Sequence, residues 1–291
     1  MPLILGANSL AGGGYEVDNS CRFDGTSSYL SKTPGSTSNR QKWTYSTWVK
    51  KSNINGLNQK IFEGGVDGNT LTDVIFKTDE SLRFYSEDAG ITKINFVTNK
   101  LFRDVSAWYH IVIAVDTTQG TDTNRVKIYV NGVQETSFAT ATYPAVNYNT
   151  FVNYSSAANV IGRRSYYGDF DFGGYLSETV LIDGTQLDPT SFGEFDEDSG
   201  IWKPISVSGL TYGTNGFYLD FESSGSLGND AVGSNNFTVN NLTAIDQTTD
   251  TPTNNFATWN PLVKTSSTVT ISEGNTIGTE ATNGSYFGIV T

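Results

Sequence analysis

The sequence is poor in the residues that build metal and redox sites. Its 291 residues include a single cysteine, Cys21, and a single histidine, His110. One cysteine excludes an intrachain disulfide framework and a thiolate zinc site, and one histidine excludes multi-histidine metal sites. A serine–histidine–aspartate triad is left with at most one candidate base. No cofactor is therefore predicted, and the one metal left open is an ion held by oxygen ligands, such as calcium.

Basic residues and long apolar runs are also scarce. The chain has 18 lysines and arginines against 30 acidic residues, a net charge of −12. Nucleic-acid binding depends on clustered basic side chains, so nucleic acid is not an expected partner. No apolar run approaches the roughly 20 residues of a membrane helix. The apolar residues 1–7 are too few for a signal-peptide core and lack a basic leader. We expect a soluble protein, made in a cytoplasm without export and not inserted in a membrane.

What the sequence does contain is typical of a β-protein with many loops. Glycine reaches 30 residues and aromatic residues 13% of the chain. Residues Trp108–Val115 are nearly all apolar, and Arg125–Val130 alternates polar and apolar side chains before Asn131-Gly132, a strong hairpin signal. No segment has a sustained helical period, and only Asp188-Pro189 suggests a capped helical turn. The pattern predicts an all-β, two-sheet antiparallel jelly-roll sandwich.

Composition divides the chain into four parts. We predict an extended N-terminal arm at 1–19, the sandwich at 20–195, an extension at 196–242 and an extended polar C-terminal tail at 243–291, with a last strand at Ser285–Val290. The strands near 216–242 either complete the sandwich or begin a second module. Completion is favoured, because roughly 70 residues with so few apolar positions make a poor independent core.

Several segments resemble the laminin-G-like, concanavalin A-like jelly roll in their order and spacing. Ser20–Leu30 and Trp43–Lys50 look like its opening strands, and Gly174–Gly184 looks like its closing strand. Trp108–Val112 and Val126–Gly132 are similar to two central strands of that jelly roll. The resemblance covers about residues 20–195, and it implies a lectin-like sandwich.

A narrower resemblance joins the later segments to bacteriophage virion proteins that carry this jelly roll. It rests on Asp183–Glu194, Gly200–Pro204, Gly213–Phe221 and Asp250–Phe256. The resemblance implies a structural virion protein, a tail fibre or a capsid-attached fibre or decoration, that adheres to host-surface polysaccharide. Its implied partners are other virion proteins and further copies of itself, with a trimer favoured. The alternatives are a pure assembly protein that binds only virion proteins and, less favoured, a polysaccharide depolymerase.

Catalysis has little support in the sequence. Retaining glycosidases need two carboxylates about 5 Å apart, and related glucanases carry them on alternate residues of one strand. The nearest candidate, Glu194–Asp198, lies in a loop and lacks that alternation. His110 has no nucleophile or carboxylate beside it in the sequence and is interpreted as a hydrogen-bonded structural residue. The protein is predicted not to be an enzyme.

The sequence offers two kinds of candidate binding site. Asp67, Asn69 and Asp73 are a weak calcium candidate and Asp169 with Asp171 is another, with solvated turn residues as the favoured interpretation of both. Aromatic loops are the better signal, because binding residues concentrate on loops of rigid sandwiches and sugars stack on tyrosine rings. The candidate glycan-binding or receptor-binding residues are Tyr143, Tyr148, Tyr166, Tyr167, Asp169 and Asp171. The alternative is that these rings pack against the sheet or a neighbouring subunit.

Overall fold

Two eight-stranded antiparallel sheets face each other in the computed structural model, which describes residues 14–259 and 269–280. The predicted all-β sandwich is thereby confirmed. In chain order the strands are β1 (Ser20–Asp24), β2 (Tyr29–Lys32), β3 (Lys42–Lys51), β4 (Gln59–Asp67), β5 (Thr70–Phe76), β6 (Ser81–Asp88), β7 (Ile91–Leu101), β8 (Tyr109–Asp116), β9 (Val126–Val130), β10 (Val133–Gln134), β11 (Phe138–Thr142), β12 (Ala158–Ile161), β13 (Gly173–Asp183), β14 (Gly193–Phe195), β15 (Trp202–Pro204), β16 (Phe217–Leu219), β17 (Thr238–Asn240), β18 (Gln247–Thr248), β19 (Val269–Ser272) and β20 (Ile277–Glu280). Short 3-10 turns lie at Asp122–Asn124, Pro189–Ser191 and Ala244–Asp246.

The strands divide between the two sheets in a jelly-roll order. Sheet A runs β10–β9–β8–β3–β13–β1–β18, and β16 pairs with the second half of β13. Sheet B runs β11–β7–β6–β5–β4–β12–β2–β17. Strands β14 and β15 form a separate hairpin, as do β19 and β20. Neighbours in each sheet are often distant in sequence, so loops from several parts of the chain meet at each end of the sandwich.

Local chemistry explains two of the connections. Asn131 and Gly132 both have positive φ, 49° and 77°, as the turn between β9 and β10 requires. The Asp188 carboxylate accepts a hydrogen bond of 3.0 Å from the backbone N–H of Thr190 and caps the turn that begins at Pro189. Both features agree with the sequence-based prediction.

The main apolar core lies between the sheets, and a second one covers the outer face of sheet A. Val112, Val180 and Tyr218 on that outer face pack against Phe192 and Val207 from the segment that follows β13. These contacts bury β8 on both faces. Sheet A is therefore covered on its outside by the chain's own later residues.

Part of the predicted tail contributes to the same cover. The buried Lys50 ammonium lies 2.8 Å from an Asp250 carboxylate oxygen, and Trp108 Nε1 donates to the other oxygen at 3.1 Å. A charge at this depth is tolerated because it is both paired and hydrogen-bonded. Of the two outer faces, that of sheet B is left more open: Arg83, Tyr85 and Asn95 are only half-buried there.

The extension after residue 196 supplies strands to both sheets. Phe217 in β16 lies opposite Leu181 in β13, and Val239 in β17 lies opposite Leu30 in β2. The predicted strand Ser285–Val290 and the first 13 residues of the predicted arm lie outside the described residues. The four-part division of the chain stays a prediction. No helix in the described part of the chain has the length and apolar character needed to cross a membrane.

Candidate functional site: an arginine-braced tyrosine loop on sheet B

The connection from β12 to β13 folds back over the outer face of sheet B. The Ser165 backbone N–H and hydroxyl both donate to a carboxylate oxygen of Glu63 in β4. The return limb is held by a bond of 2.8 Å from Lys60 N to Phe170 O. At the tip, the Tyr167 ring lies so close to Gly68 that a Cβ there would come within 2.3 Å of the ring. Glycine at position 68 therefore allows the loop tip to pack on the turn between β4 and β5.

Two arginines hold the loop in shape. Arg164 forms a bidentate pair with Asp169, at 2.6 and 2.5 Å, and its guanidinium lies 4.4 Å from the centroid of the Tyr167 ring. Arg163 lies 3.3 Å from Asp171, close enough for an ion pair but not aligned for a hydrogen bond. Partial burial raises the pKa of Asp171, and Arg163 opposes that rise. Both aspartates are thus engaged within the loop, and Asp169 holds the guanidinium that lies over the Tyr167 ring.

The two tyrosines at the loop tip face solvent. The side chains of Tyr166 and Tyr167 are 62% and 58% exposed. Their rings meet edge to face, with centroids 5.0 Å apart and an interplanar angle of 88°. Two adjacent exposed rings on a braced loop give a rigid apolar surface beside polar groups, which suits stacking against a sugar ring.

Tyr143 and Tyr148 do not join this surface. The Tyr143 ring packs edge-on against Phe96 in β7 at 4.8 Å, and the Tyr148 hydroxyl lies 2.9 Å from Ser86 Oγ. Both rings pack against the main core, and burial raises the pKa of Tyr148 to about 12. Strand β7 is three strand spacings from β4, about 14 Å. The structure therefore separates the six candidate residues into an outer loop and an inward-facing pair.

The calcium candidates Asp67, Asn69 and Asp73 are also separated. Asp67 accepts a bond of 2.8 Å from the backbone N–H of Asn69 in the turn after β4. Asp73 lies farther along β5, where it is 2% exposed and 2.8 Å from the Lys60 ammonium. Its register partner is Glu63, whereas Asp67 lies opposite Thr70. Three residues of strand, about 10 Å, separate Asp73 from that turn, so the three side chains do not converge on one point.

The sequence did not reveal that the carboxylates of Glu63 and Asp73 are neighbours. Glu63 and Asp73 lie directly opposite each other on β4 and β5, on the outer face of sheet B. Residues directly opposite each other have Cβ atoms about 5 Å apart, so their carboxyl groups can approach to the roughly 5 Å that retaining glycosidases use. Here, however, both side chains are buried, and the Lys60 ammonium contacts both of them beneath Ser165. The search along single strands missed this pair because strand register is not visible in one sequence.

The acidic segment Glu194–Asp198 begins in strand β14, not wholly in a loop as expected, and Lys203 in β15 holds it. Lys203 Nζ lies 3.4 Å from Glu194 and 3.1 Å from Asp196. Hydrogen bonds from the backbone and hydroxyl of Ser199 lower the pKa of Asp196. The segment is thus the exposed end of the β14–β15 hairpin, and its carboxylates are not paired across a cleft.

His110 is enclosed by aromatic rings. Its Nε2 lies 2.8 Å from Ser46 Oγ, and Trp202 Nε1 donates to its Nδ1 at 2.9 Å. The imidazole stacks on Trp48 with a centroid distance of 4.8 Å. Burial lowers the pKa of His110 to about 3, so the ring stays neutral. A neutral, fully enclosed imidazole is a structural group that ties the hairpin of β14 and β15 to sheet A.

Another buried titratable group lies at a bulge in β13. Glu178 has a φ of 48° and is 5% exposed. The hydroxyl of Tyr15 donates to its carboxylate at 3.0 Å, and that of Tyr218 does so at 2.8 Å. Burial raises the pKa of Glu178 to about 7, although the Tyr218 hydrogen bond acts in the opposite direction. The cluster attaches residue 15 to the outside of sheet A.

These features define a lectin-like sandwich with an exposed aromatic loop on one sheet. Residues 24–186 match the family described as the concanavalin A-like lectin/glucanases superfamily. Because the match covers more than half of the chain, the protein belongs to that family. No curated protein matches the chain significantly.

Several solved structures are distantly similar. The heptameric SAP-like pentraxin of Limulus polyphemus has 18% identity and a TM-score of 0.43, over 59% of this chain and 78% of the pentraxin. A putative carbohydrate-binding protein of Bacteroides ovatus has 18% identity and a TM-score of 0.48, over 81% of this chain and 60% of that protein. Domain 4 of an extracellular arabinanase from Geobacillus stearothermophilus, solved with arabinotriose, has 20% identity and a TM-score of 0.44, over 59% of this chain and 73% of that domain. Such distant likeness says nothing about the ligand of this chain.

Proposed function

We propose that the chain is a non-catalytic, glycan-binding structural protein of a bacteriophage particle. The observation that carries the proposal is the pair of exposed rings at Tyr166 and Tyr167, presented on a loop that two arginine–aspartate pairs brace. An aromatic surface that is already ordered loses little conformational freedom on binding, so weak stacking contacts are sufficient to hold a sugar.

The virion setting is supported by the resemblance of the segments after β13 to phage virion proteins. A tail fibre or a capsid-attached fibre would present many copies of the loop to a cell surface. Stacking and hydrogen bonds at one loop give modest affinity, and linked copies multiply it. Adhesion to host-surface polysaccharide is the function that such an arrangement serves. Homo-oligomerisation, with a trimer favoured, belongs to the same proposal.

A non-catalytic role is supported by the state of the acidic residues. Glu63 and Asp73 share one lysine and are buried, and Glu194 and Asp196 share Lys203. A glycosidase needs one carboxyl group that donates a proton and another that attacks or activates water, both open to substrate. Neither set offers that combination.

A second candidate, a pure assembly protein, is favoured by a different surface. Phe195 and Ile201 on the hairpin of β14 and β15 are 51% and 66% exposed, and Val133 in β10 is 58% exposed. Trp202 lies between them, in contact with Phe195 and above Gly132. Exposed apolar residues grouped in this way suit contact with another virion protein.

A glycan array distinguishes the two functions. The purified chain is compared with the double variant Tyr166→Ala/Tyr167→Ala and with Phe256→Ala, which removes another exposed ring. We expect the chain to bind bacterial surface glycans, the double variant to lose binding, and the control to keep it. The double variant should remain folded, because the contacts that it loses, the cation–π contact of about 1 kcal/mol and the packing of Tyr167 on Gly68, lie on the surface outside both apolar cores.

Two outcomes would contradict the proposal. Absence of binding by an oligomeric, folded chain would favour the assembly function. If the double variant unfolds, while phage particles that carry it still attach to cells, the two rings are packing residues.

A further inference from the structure

Arg40, just before β3, differs from most arginines of this chain in its surroundings. Arg22, Arg83, Arg163 and Arg164 each lie within 3.4 Å of a carboxylate oxygen. For Arg40, no carboxylate among residues 14–259 and 269–280 forms an ion pair. Arg125 also lacks an ion pair among these residues, but its Nε, Nη1 and Nη2 atoms all donate to backbone carbonyls.

The Arg40 guanidinium is nevertheless fixed. It lies 4.0 Å from the centroid of the Tyr154 ring and 5.2 Å from that of Phe151. Its Nε donates to Thr150 O at 2.6 Å, and Nη2 has a long contact of 3.5 Å with Asn149 O. These contacts use the side of the guanidinium that carries Nε. Apart from that long Nη2 contact, the Nη1–Nη2 edge has no protein acceptor among the described residues, and Arg40 is only half-buried.

Polar groups continue from Arg40 along the surface. Residues 37–40 run antiparallel to 150–155, joined by bonds from Ser38 N to Asn153 O and from Thr150 N to Arg40 O. Three residues along this ladder, about 10 Å from Arg40, the hydroxyls of Thr37 and Ser155 are 2.8 Å apart. Segments 37–40 and 150–155, called the strip below, thus carry a fixed cation, an aromatic ring and exposed hydroxyls.

We propose that this strip binds an acidic saccharide, with Arg40 taking the carboxylate of a uronic or sialic acid residue. The planar guanidinium edge matches a carboxylate in a bidentate arrangement. The Tyr154 ring supports the guanidinium, and the exposed hydroxyls of Thr37 and Ser155 are available to bond hydroxyls of a further sugar residue. The proposal rests on the proposed glycan-binding function and names the class of glycan.

The charge distribution favours binding of an anion at Arg40 itself over long-range attraction of an anion by the whole protein. Burial lowers the pKa of Arg40, against the opposing effect of Tyr154, Tyr148 and the Asp88 carboxylate, so its charge lies in partly dry surroundings where an anion is bound more strongly than in bulk water. The net charge of −12 opposes long-range attraction of a polyanion. Added salt should therefore weaken binding only slightly, in contrast to binding by a basic patch.

The strip and the tyrosine loop approach the same part of β4. A Cβ at Gly64 would lie 2.6 Å from Phe151 O, and one at Gly65 would lie 2.9 Å from Ser165 Oγ. Adjacent residues of a strand face opposite sides. Phe151, below Arg40, and Ser165, next to Tyr166, thus pack on opposite faces of one end of β4. One polysaccharide chain passing over that end would reach both.

The test compares acidic oligosaccharides with their own methyl esters. Oligogalacturonate, oligoglucuronate and sialyllactose are titrated into the full-length protein by calorimetry, each beside its esterified form. We expect at least one acid to bind and its ester to bind about tenfold to a hundredfold more weakly, the range for a hydrogen bond to a charged group. Arg40→Gln should show the same loss. Arg40→Lys should recover part of the affinity, because it keeps the charge without the planar edge. Arg103→Gln, at an exposed arginine, should bind as the unchanged chain does.

Each other outcome has a defined meaning. Equal binding of acid and ester, or undiminished binding by folded Arg40→Gln, would refute the carboxylate site. Equal binding of a sulfated oligosaccharide would refute the preference for carboxylate. If neutral glycans bind through Tyr166 and Tyr167 while no acid binds preferentially, this inference fails and the proposed function stands. If no glycan binds at all, both fail.

Discussion

Replacing Glu178 by glutamine is expected to stabilise the protein in a pH-dependent way. The pKa of this buried carboxyl group is raised from 4.5 to about 7. Between these values the unfolded chain carries an ionised carboxylate, whereas the folded chain keeps the group protonated. The contribution of Glu178 to stability is therefore fully present below pH 4.5 and is lost as the pH rises through 7. Glutamine cannot ionise, so the variant avoids that loss.

The size of the effect follows from the shift. Each pKa unit corresponds to about 1.4 kcal/mol, so a shift from 4.5 to about 7 is worth about 3 kcal/mol at pH 8. For a chain of this size that is a rise in Tm of roughly 6 °C. Glutamine is close in shape to a protonated carboxyl group and can keep hydrogen bonds to Tyr15 and Tyr218. At pH 4 the variant and the parent should therefore have nearly equal stability.

Urea unfolding measures the free energy of unfolding of the variant and of the parent at pH 4 and at pH 8. Taking the difference between variant and parent at each pH cancels the titration of His110, which is common to both proteins. Glu197→Gln, at an exposed carboxylate, is the control and should change stability little at either pH. An equal gain at pH 4 and pH 8 would show that the bulge geometry, rather than ionisation, is responsible. Absence of any gain at pH 8 would refute the reasoning.

Three further predictions concern activity, metal and assembly. Host polysaccharide incubated with the protein should yield no new reducing ends, because Lys60 and Lys203 engage the nearby carboxylates; release abolished by Glu194→Gln, Glu197→Gln or Glu63→Gln would contradict this. Calcium added to EDTA-treated protein should leave Tm unchanged, since Asp67 and Asp73 do not converge; a rise in Tm that Asp67→Asn removes would show a site there. Light scattering of the intact chain at micromolar concentration should give three times the 31.6 kDa mass of one chain; a monomer would count against assembly.

The sequence determined the features that depend on near neighbours in the chain. Asn131-Gly132 forms its turn because both positions tolerate positive φ, and Asp188 caps the following turn with its own side chain. The aromatic and β-branched runs became β3, β8 and β9, since these residues suit a pleated, half-buried surface. Their order along the chain was sufficient to indicate the family. The exposed pair at Tyr166 and Tyr167 was also among the residues singled out from the sequence.

Only the tertiary structure decided which distant residues meet. Glu63 faces Asp73 because of the register between β4 and β5, and Arg40 stacks on Tyr154 across more than 100 residues of chain. The inward direction of Tyr148 depends on the space between the sheets, which no local pattern encodes. Likewise, Asp250 in the polar tail is buried because Lys50 and Trp108 offer it partners on sheet A. Composition shows how polar a segment is, but the free energy of burying that segment depends on the hydrogen-bonding and charged partners that the folded surface offers.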